Sequence, residues 1–195
     1  AIPGSLVGSE MCIRDRSSVD DFGFIDMLID DLLLTYNIDS TRIYATGFSN
    51  GADMSFTLGC YLQNKIAAIA PVSGLMVHNP SASCSLSVPI GAMIIHGTSD
   101  NSRPIDGIEG YYASINETIE FLASQNGMLL NPSVTDYISD GLTIELYSYP
   151  NQENKVYLEY YKVIDGDHYW LNIGRNGLET NQMIWNFLSR FSSNT

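Results

Sequence analysis

Gly47-Phe48-Ser49-Asn50-Gly51 leaves little structural freedom to the residues around it. It has the pattern G-x-S-x-G, and both flanks fit one local structure. Residues 42–46, Arg-Ile-Tyr-Ala-Thr, are rich in the β-branched and aromatic side chains that suit a pleated surface. Residues 52–58, Ala-Asp-Met-Ser-Phe-Thr-Leu, read as a helix. A strand turning sharply into a helix lifts a serine hydroxyl clear of the sheet and leaves the next backbone N–H, that of Asn50, facing whatever Ser49 attacks. Such a turn is crowded, so a Cβ at either Gly47 or Gly51 is expected to collide with its surroundings.

A serine hydroxyl needs a base to take its proton, and after an elbow of this kind the acid and the histidine follow in that order. Residues 90–95 form a short apolar run that reads as a buried parallel strand and ends in His96-Gly97-Thr98-Ser99-Asp100. Residues 156–163 read as another strand and run into Asp165-Gly166-Asp167-His168-Tyr169-Trp170. Residues just past the carboxyl ends of parallel strands share one edge of the sheet. Of the 3 histidines, His78 precedes the candidate acid and His96 suits a structural role at a strand end, which leaves His168. Asp165 and Asp167 are alternative acids, but they lie too close in sequence to His168 to approach its ring easily from the far side. Asp100 is therefore the expected acid. In these roles His168 takes and returns the proton, Asp100 holds its tautomer, and the Asn50 N–H faces the oxyanion.

The remaining elements are coarser readings. Strands are expected over residues 66–72 and 142–148, a loop over 73–89, and helices over 19–36, 108–126 and 177–190. This alternation predicts an α/β fold with a parallel sheet flanked by helices. The acids Asp20, Asp21, Asp26, Asp30 and Asp31 crowd the first helix, while Phe22, Ile25, Leu28, Ile29 and Leu32 recur at helical spacing. A solvated acidic face over a packed apolar one is expected, with Asp20 and Asp21 suited to the helix N-terminus. Trp185 is expected in the core. A net charge of −13 over 195 residues argues against nucleic acid or an anionic membrane as partner. No apolar run approaches the length of a membrane span. No cluster has metal-ligand or calcium-loop spacing, so neither metal nor cofactor is expected.

Residues 36–39 (Tyr-Asn-Ile-Asp), 42–51, 67–72, 96–100 and 166–170 together resemble the polyhydroxybutyrate depolymerase and feruloyl-esterase-like group of α/β-hydrolases. The resemblance runs from about residue 18 to residue 191. It implies an exported carboxylic-ester hydrolase, secreted or periplasmic, with Ser49, Asp100 and His168 as its triad. The implied partner is an ester substrate, either a polyester or a phenolic or acetyl ester of polysaccharide. Tyr169 and Trp170, beside His168, are then candidate walls of the ester pocket, although packing alone accounts for them equally well. Tyr111 and Tyr112 are weaker candidates. Cys60 and Cys84 could pair in an exported protein, as the resemblance implies, or remain two free thiols. Two departures stand out: Leu171 follows Trp170 where the family often has proline, and Met128 follows Asn126-Gly127 where it often has cysteine. A second reading from another class is an inactive fragment or non-catalytic binding module of the same fold.

The start of the chain reads differently. Residues 6–15 back-translate codon for codon to CTC GTG GGC TCG GAG ATG TGT ATA AGA GAC, the string of a transposon-based sequencing-library adapter. Residues 1–16 are therefore expected to be non-native, with residues 17–195 forming a partial hydrolase domain that lacks its N-terminal strands. The elbow strand would then have one unpaired side, and the second oxyanion donor would be missing.

Overall fold

The computed structural model describes residues 20–153 and 155–193. Residues 1–16, the expected adapter segment, lie outside the described residues. The chain divides into two compact units between Ser40 and Thr41. In the first, helix α1 (Asp21–Thr35) is capped by Asp20, whose carboxylate accepts from the Gly23 N–H at 2.8 Å. None of its residues is fully buried: of the expected apolar stripe, Phe22, Ile25 and Ile29 are half-buried, while Leu28 and Leu32 are exposed.

The second unit runs β1 (Ile43–Phe48), α2 (Asn50–Tyr61), β2 (Ile66–Val72), α3 (Pro80–Ser83), β3 (Gly91–Gly97), α4 (Ile115–Gln125), β4 (Ser133–Ser139), β5 (Leu142–Pro150), β6 (Val156–Val163) and α5 (Thr180–Leu188). Its sheet has the order β1-β2-β3-β6-β5-β4. The strands β1, β2, β3 and β6 are parallel, as expected, and β5 and β4 extend them as antiparallel neighbours. Every residue of β2 and β3 is buried, which explains the apolar runs over residues 66–72 and 90–95.

Alternation along the strands divides the core between two faces. On one, Ala68, Ala70, Val72, Met93, Ile95 and Val163 pack with Ile184, Phe187 and Leu188 of α5. Each of those α5 side chains contributes roughly 1.5–3 kcal/mol by leaving water. On the other, Gly59 of α2 lies so close to the sheet that an added Cβ would stand 3.1 Å from Ile69 Cγ2. Helices therefore cover both faces. Leu171, the departure from the family's proline, is fully buried in the α5-side core.

Four elements differ from expectation. The short helix α3 (Pro80–Ser83) stands inside the expected loop 73–89, with Pro80 preset for its first turn. Helix α4 begins at Ile115 rather than at residue 108, because Ser114 and Glu117 close a capping box there. Helix α5 begins at Thr180 rather than at 177, since Arg175 and Leu178 close a tight turn and Gly177 has φ 78°. Strand β4 was not expected: five of its seven residues are exposed and carry no apolar run. Trp185 is 58% exposed rather than core, and meets Tyr44 edge to face.

Asn126 ends α4 and ties it to the sheet. Its side chain accepts from the Ile90 N–H at 2.9 Å and donates to the Ile90 carbonyl at 2.7 Å. Cys60 in the last turn of α2 is disulfide-bonded to Cys84, 24 residues on. Closing such a loop stabilises the fold by about 3 kcal/mol in the chain-entropy picture. Among the described residues no helix is long and apolar enough to cross a membrane.

Candidate active site

The four parallel strands end on one edge, and their loops converge there. Ser49 is the first residue after β1, at φ 55° and ψ −117°. A non-glycine residue in such a region costs about 1–3 kcal/mol. Neighbouring bonds hold it: the Ser49 N–H donates to the Val72 carbonyl at 3.0 Å, and the Ser49 carbonyl accepts from Ala52 and Asp53 at 2.9 and 3.0 Å. The two motif glycines differ. A Cβ on Gly47 would run into the Gly51 backbone, whereas a Cβ on Gly51 meets nothing within 4 Å. The expected collision therefore holds at Gly47 and fails at Gly51. A third glycine matters in its place: a Cβ on Gly74 would strike the Ala52 side chain and stand 2.8 Å from Asp53 Oδ1.

Ser49 Oγ lies 2.9 Å from His168 Nε2, and His168 Nδ1 lies 2.8 Å from Asp100 Oδ2. Loops after β1, β3 and β6 thus bring the three residues into one hydrogen-bonded row. Asp100 is buried, and its other oxygen accepts from the N–H groups of Ser102 at 2.9 Å and Arg103 at 2.7 Å. Its burial is therefore matched by donors on both oxygens. Phe48 backs the imidazole with ring centroids 4.9 Å apart. Neither alternative acid takes the place of Asp100: Asp167 accepts from the backbone N–H of His168, and the Asp165 N–H donates to Thr98 Oγ1. Asn50 opens α2, where the helix itself leaves N–H groups without partners.

His96 serves the frame. It is fully buried, with Nε2 donating to the Arg103 carbonyl at 2.7 Å and standing 3.8 Å from Asp100 Oδ2. Burial pushes its imidazole below the ordinary 6.5, against smaller opposing pulls from the Arg103 carbonyl and Asp100. The unfolded chain therefore binds a proton near pH 6.5 that the folded chain refuses. Stability falls as pH drops through that value, by up to about 1.4 kcal/mol per pH unit. Thermal unfolding of the wild type between pH 7 and 5 should show this loss, and His96→Gln should flatten it.

Tyr169 and Trp170 are 44% and 41% exposed on the same loop as His168. The Tyr169 carbonyl accepts from Ser73 Oγ at 3.2 Å, which ties this loop to the end of β2. Arg103 is a site residue that the motifs do not reveal. Its guanidinium reaches Asn50 Oδ1 at 2.6 Å and Asp53 Oδ2 at 3.1 Å. The available sequence signal was an arginine three positions past the acid and an aspartate in the first turn of the elbow helix.

Residues 15–121 match the phospholipase/carboxylesterase family. A bifunctional acetylxylan esterase/xylanase of Neocallimastix patriciarum is 30% identical over 75% of this chain and 19% of its own length. Feruloyl esterase D of Neurospora crassa is 35% identical over 42% of this chain and 27% of its own length. A probable feruloyl esterase C of Aspergillus terreus is 33% identical over 45% of this chain and 32% of its own length. The chain thus spans about a fifth to a third of these curated relatives. An elbow serine on a mostly parallel sheet, a family match over more than half the residues, and esterases among the relatives agree: the chain belongs to the phospholipase/carboxylesterase family of α/β-hydrolases.

Proposed function

We propose that this protein is a serine carboxylic-ester hydrolase working through an acyl-enzyme on Ser49. The observation that carries the reading is the continuous row from Ser49 Oγ through His168 to Asp100, at 2.9 and 2.8 Å. Ser49 Oγ attacks the ester carbonyl while His168 Nε2 takes its proton. The tetrahedral oxyanion faces the Asn50 N–H at the start of α2. His168 then protonates the departing alcohol, leaving the acyl group on Ser49. A water molecule, deprotonated by the same nitrogen, attacks next and releases the acid. Asp100 keeps the Nδ1 proton on its side of the ring, so that Nε2 is free to accept.

For substrate, phenolic or acetyl esters of polysaccharide are the favoured class, supported by relatives named as feruloyl and acetylxylan esterases. Polyhydroxyalkanoate polyester, which the motif resemblance also implies, is the second class. Tyr169 and Trp170 would wall the pocket beside His168. Export is supported by the Cys60–Cys84 disulfide, since such bonds persist in oxidising compartments. The test is to incubate the chain with feruloylated xylan, acetylated xylan, polyhydroxybutyrate and a short p-nitrophenyl ester, and to measure acid release. Ferulate or acetate from xylan is expected. Hydroxybutyrate alone would move the substrate to polyester, and no release from any of the four would leave the non-catalytic binding module.

A further inference from the structure

Arg103 reaches several parts of the site's frame at once. Its backbone N–H donates to Asp100 Oδ1 at 2.7 Å, and its carbonyl accepts from His96 Nε2 at 2.7 Å. Its side chain crosses to the elbow helix. Nη2 donates to Asn50 Oδ1 at 2.6 Å, while Nε and Nη2 each lie 3.1 Å from Asp53 Oδ2. The other oxygen of Asp53 accepts from the Leu75 N–H at 2.7 Å, in the loop after β2. The guanidinium also lies over Tyr112, 5.2 Å from the ring centroid. Arg103 and Asp53 together thus join the loops after β1, β2 and β3.

The pair is nearly dry, with side-chain exposures of 6% for Arg103 and 13% for Asp53. A buried ion pair contributes little net stability compared with apolar residues of the same shape, because desolvation offsets the attraction. What a guanidinium adds is geometry: its rigid planar fork of donors holds two acceptors in one fixed arrangement, which the rotatable donors of an ammonium do not impose. Here both acceptors belong to the first turn of α2, the turn that carries the Asn50 N–H.

We propose that Arg103 is a positioning residue for the ester hydrolysis. Through Asn50 and Asp53 it sets the first turn of α2, and with it the Asn50 N–H, against Ser49 and the Asp100–His168 pair. This rests on the esterase reading given above. The experiment is steady-state hydrolysis of a p-nitrophenyl ester by the full chain, comparing wild type, Arg103→Lys, Asn50→Ala, their double variant and Ser49→Ala. Thermal unfolding is recorded for each.

Arg103→Lys should lower kcat roughly 10–100-fold, the scale of a small misplacement at a reacting centre, with KM held within about twofold. The acid limb of its pH–rate profile should stay in place, because the residue-103 N–H still serves Asp100. In the Asn50→Ala background the same change should cost less, since one of the two ties it breaks is already gone and only that to Asp53 remains. If Arg103→Lys does not fold, Asn50→Ala alone must still lower kcat, as it keeps the backbone N–H and loses only the tie. An unchanged kcat with a lower thermal midpoint, strictly multiplicative losses, or a displaced acid limb would each overturn the proposal. Ser49→Ala as active as wild type would overturn the esterase reading and this proposal together. An inactive Ser49→Ala beside fully active Arg103→Lys and Asn50→Ala would overturn this proposal alone.

Discussion

Replacing Ser49 with alanine is expected to lower kcat for a short p-nitrophenyl ester by about a million-fold. The size follows from what the hydroxyl does: in the proposed route every turnover passes through a bond to Ser49 Oγ, the atom 2.9 Å from His168 Nε2. The expected residual rate, about a thousandfold or more over water, comes from binding and the oxyanion donor, which the substitution leaves in place. The fold should be unaffected. Ser49 is held at φ 55° by its backbone bonds to Val72, Ala52 and Asp53, and alanine carries the same Cβ into the same conformation. Thermal unfolding should therefore coincide with wild type while turnover is lost.

Asp100→Asn is expected to lower kcat about ten-thousand-fold with KM little changed. The amide can keep its oxygen at the Oδ1 position, where the Ser102 and Arg103 N–H groups donate at 2.9 and 2.7 Å. Its NH2 group then faces His168 Nδ1 and donates to it. The imidazole proton moves to Nε2, and Nε2 can no longer accept from Ser49. Geometry is preserved and the base is lost, so the defect should appear in turnover rather than in stability or binding. Equal kcat in wild type and Asp100→Asn would remove Asp100 from the mechanism.

The parts of this site that were legible in the sequence share one cause. Parallel strands expose their carboxyl ends on one edge, so the strand-like segments that lead into Ser49, Asp100 and His168 carry their positions in local sequence. The structure brings these three within hydrogen-bonding distance. Arg103 was not legible because its meaning is long-range: its side chain is read only when Asn50 and Asp53, some fifty positions earlier, are brought beside it. Strand β4 escaped because it is an exposed edge, stabilised by pairing with β5 rather than by an apolar face. Trp185 was misplaced because helical spacing names a face without saying how far the packed area extends, and Tyr44 meets it at the rim. The Gly51 expectation failed for a related reason. The pattern G-x-S-x-G treats its two glycines alike, while the backbone leaves open space at Gly51 and none at Gly47.

The central claim is that Ser49 is an activated nucleophile, and covalent capture tests it without dependence on substrate choice. The full chain is treated with a fluorophosphonate, digested, and mapped by mass spectrometry. One adduct per chain is predicted, on the peptide carrying Ser49, absent from Ser49→Ala and slowed by orders of magnitude in His168→Ala. Labelling of Ser49→Ala equal to that of wild type, or an adduct on another serine with Ser49 unmodified, would contradict it.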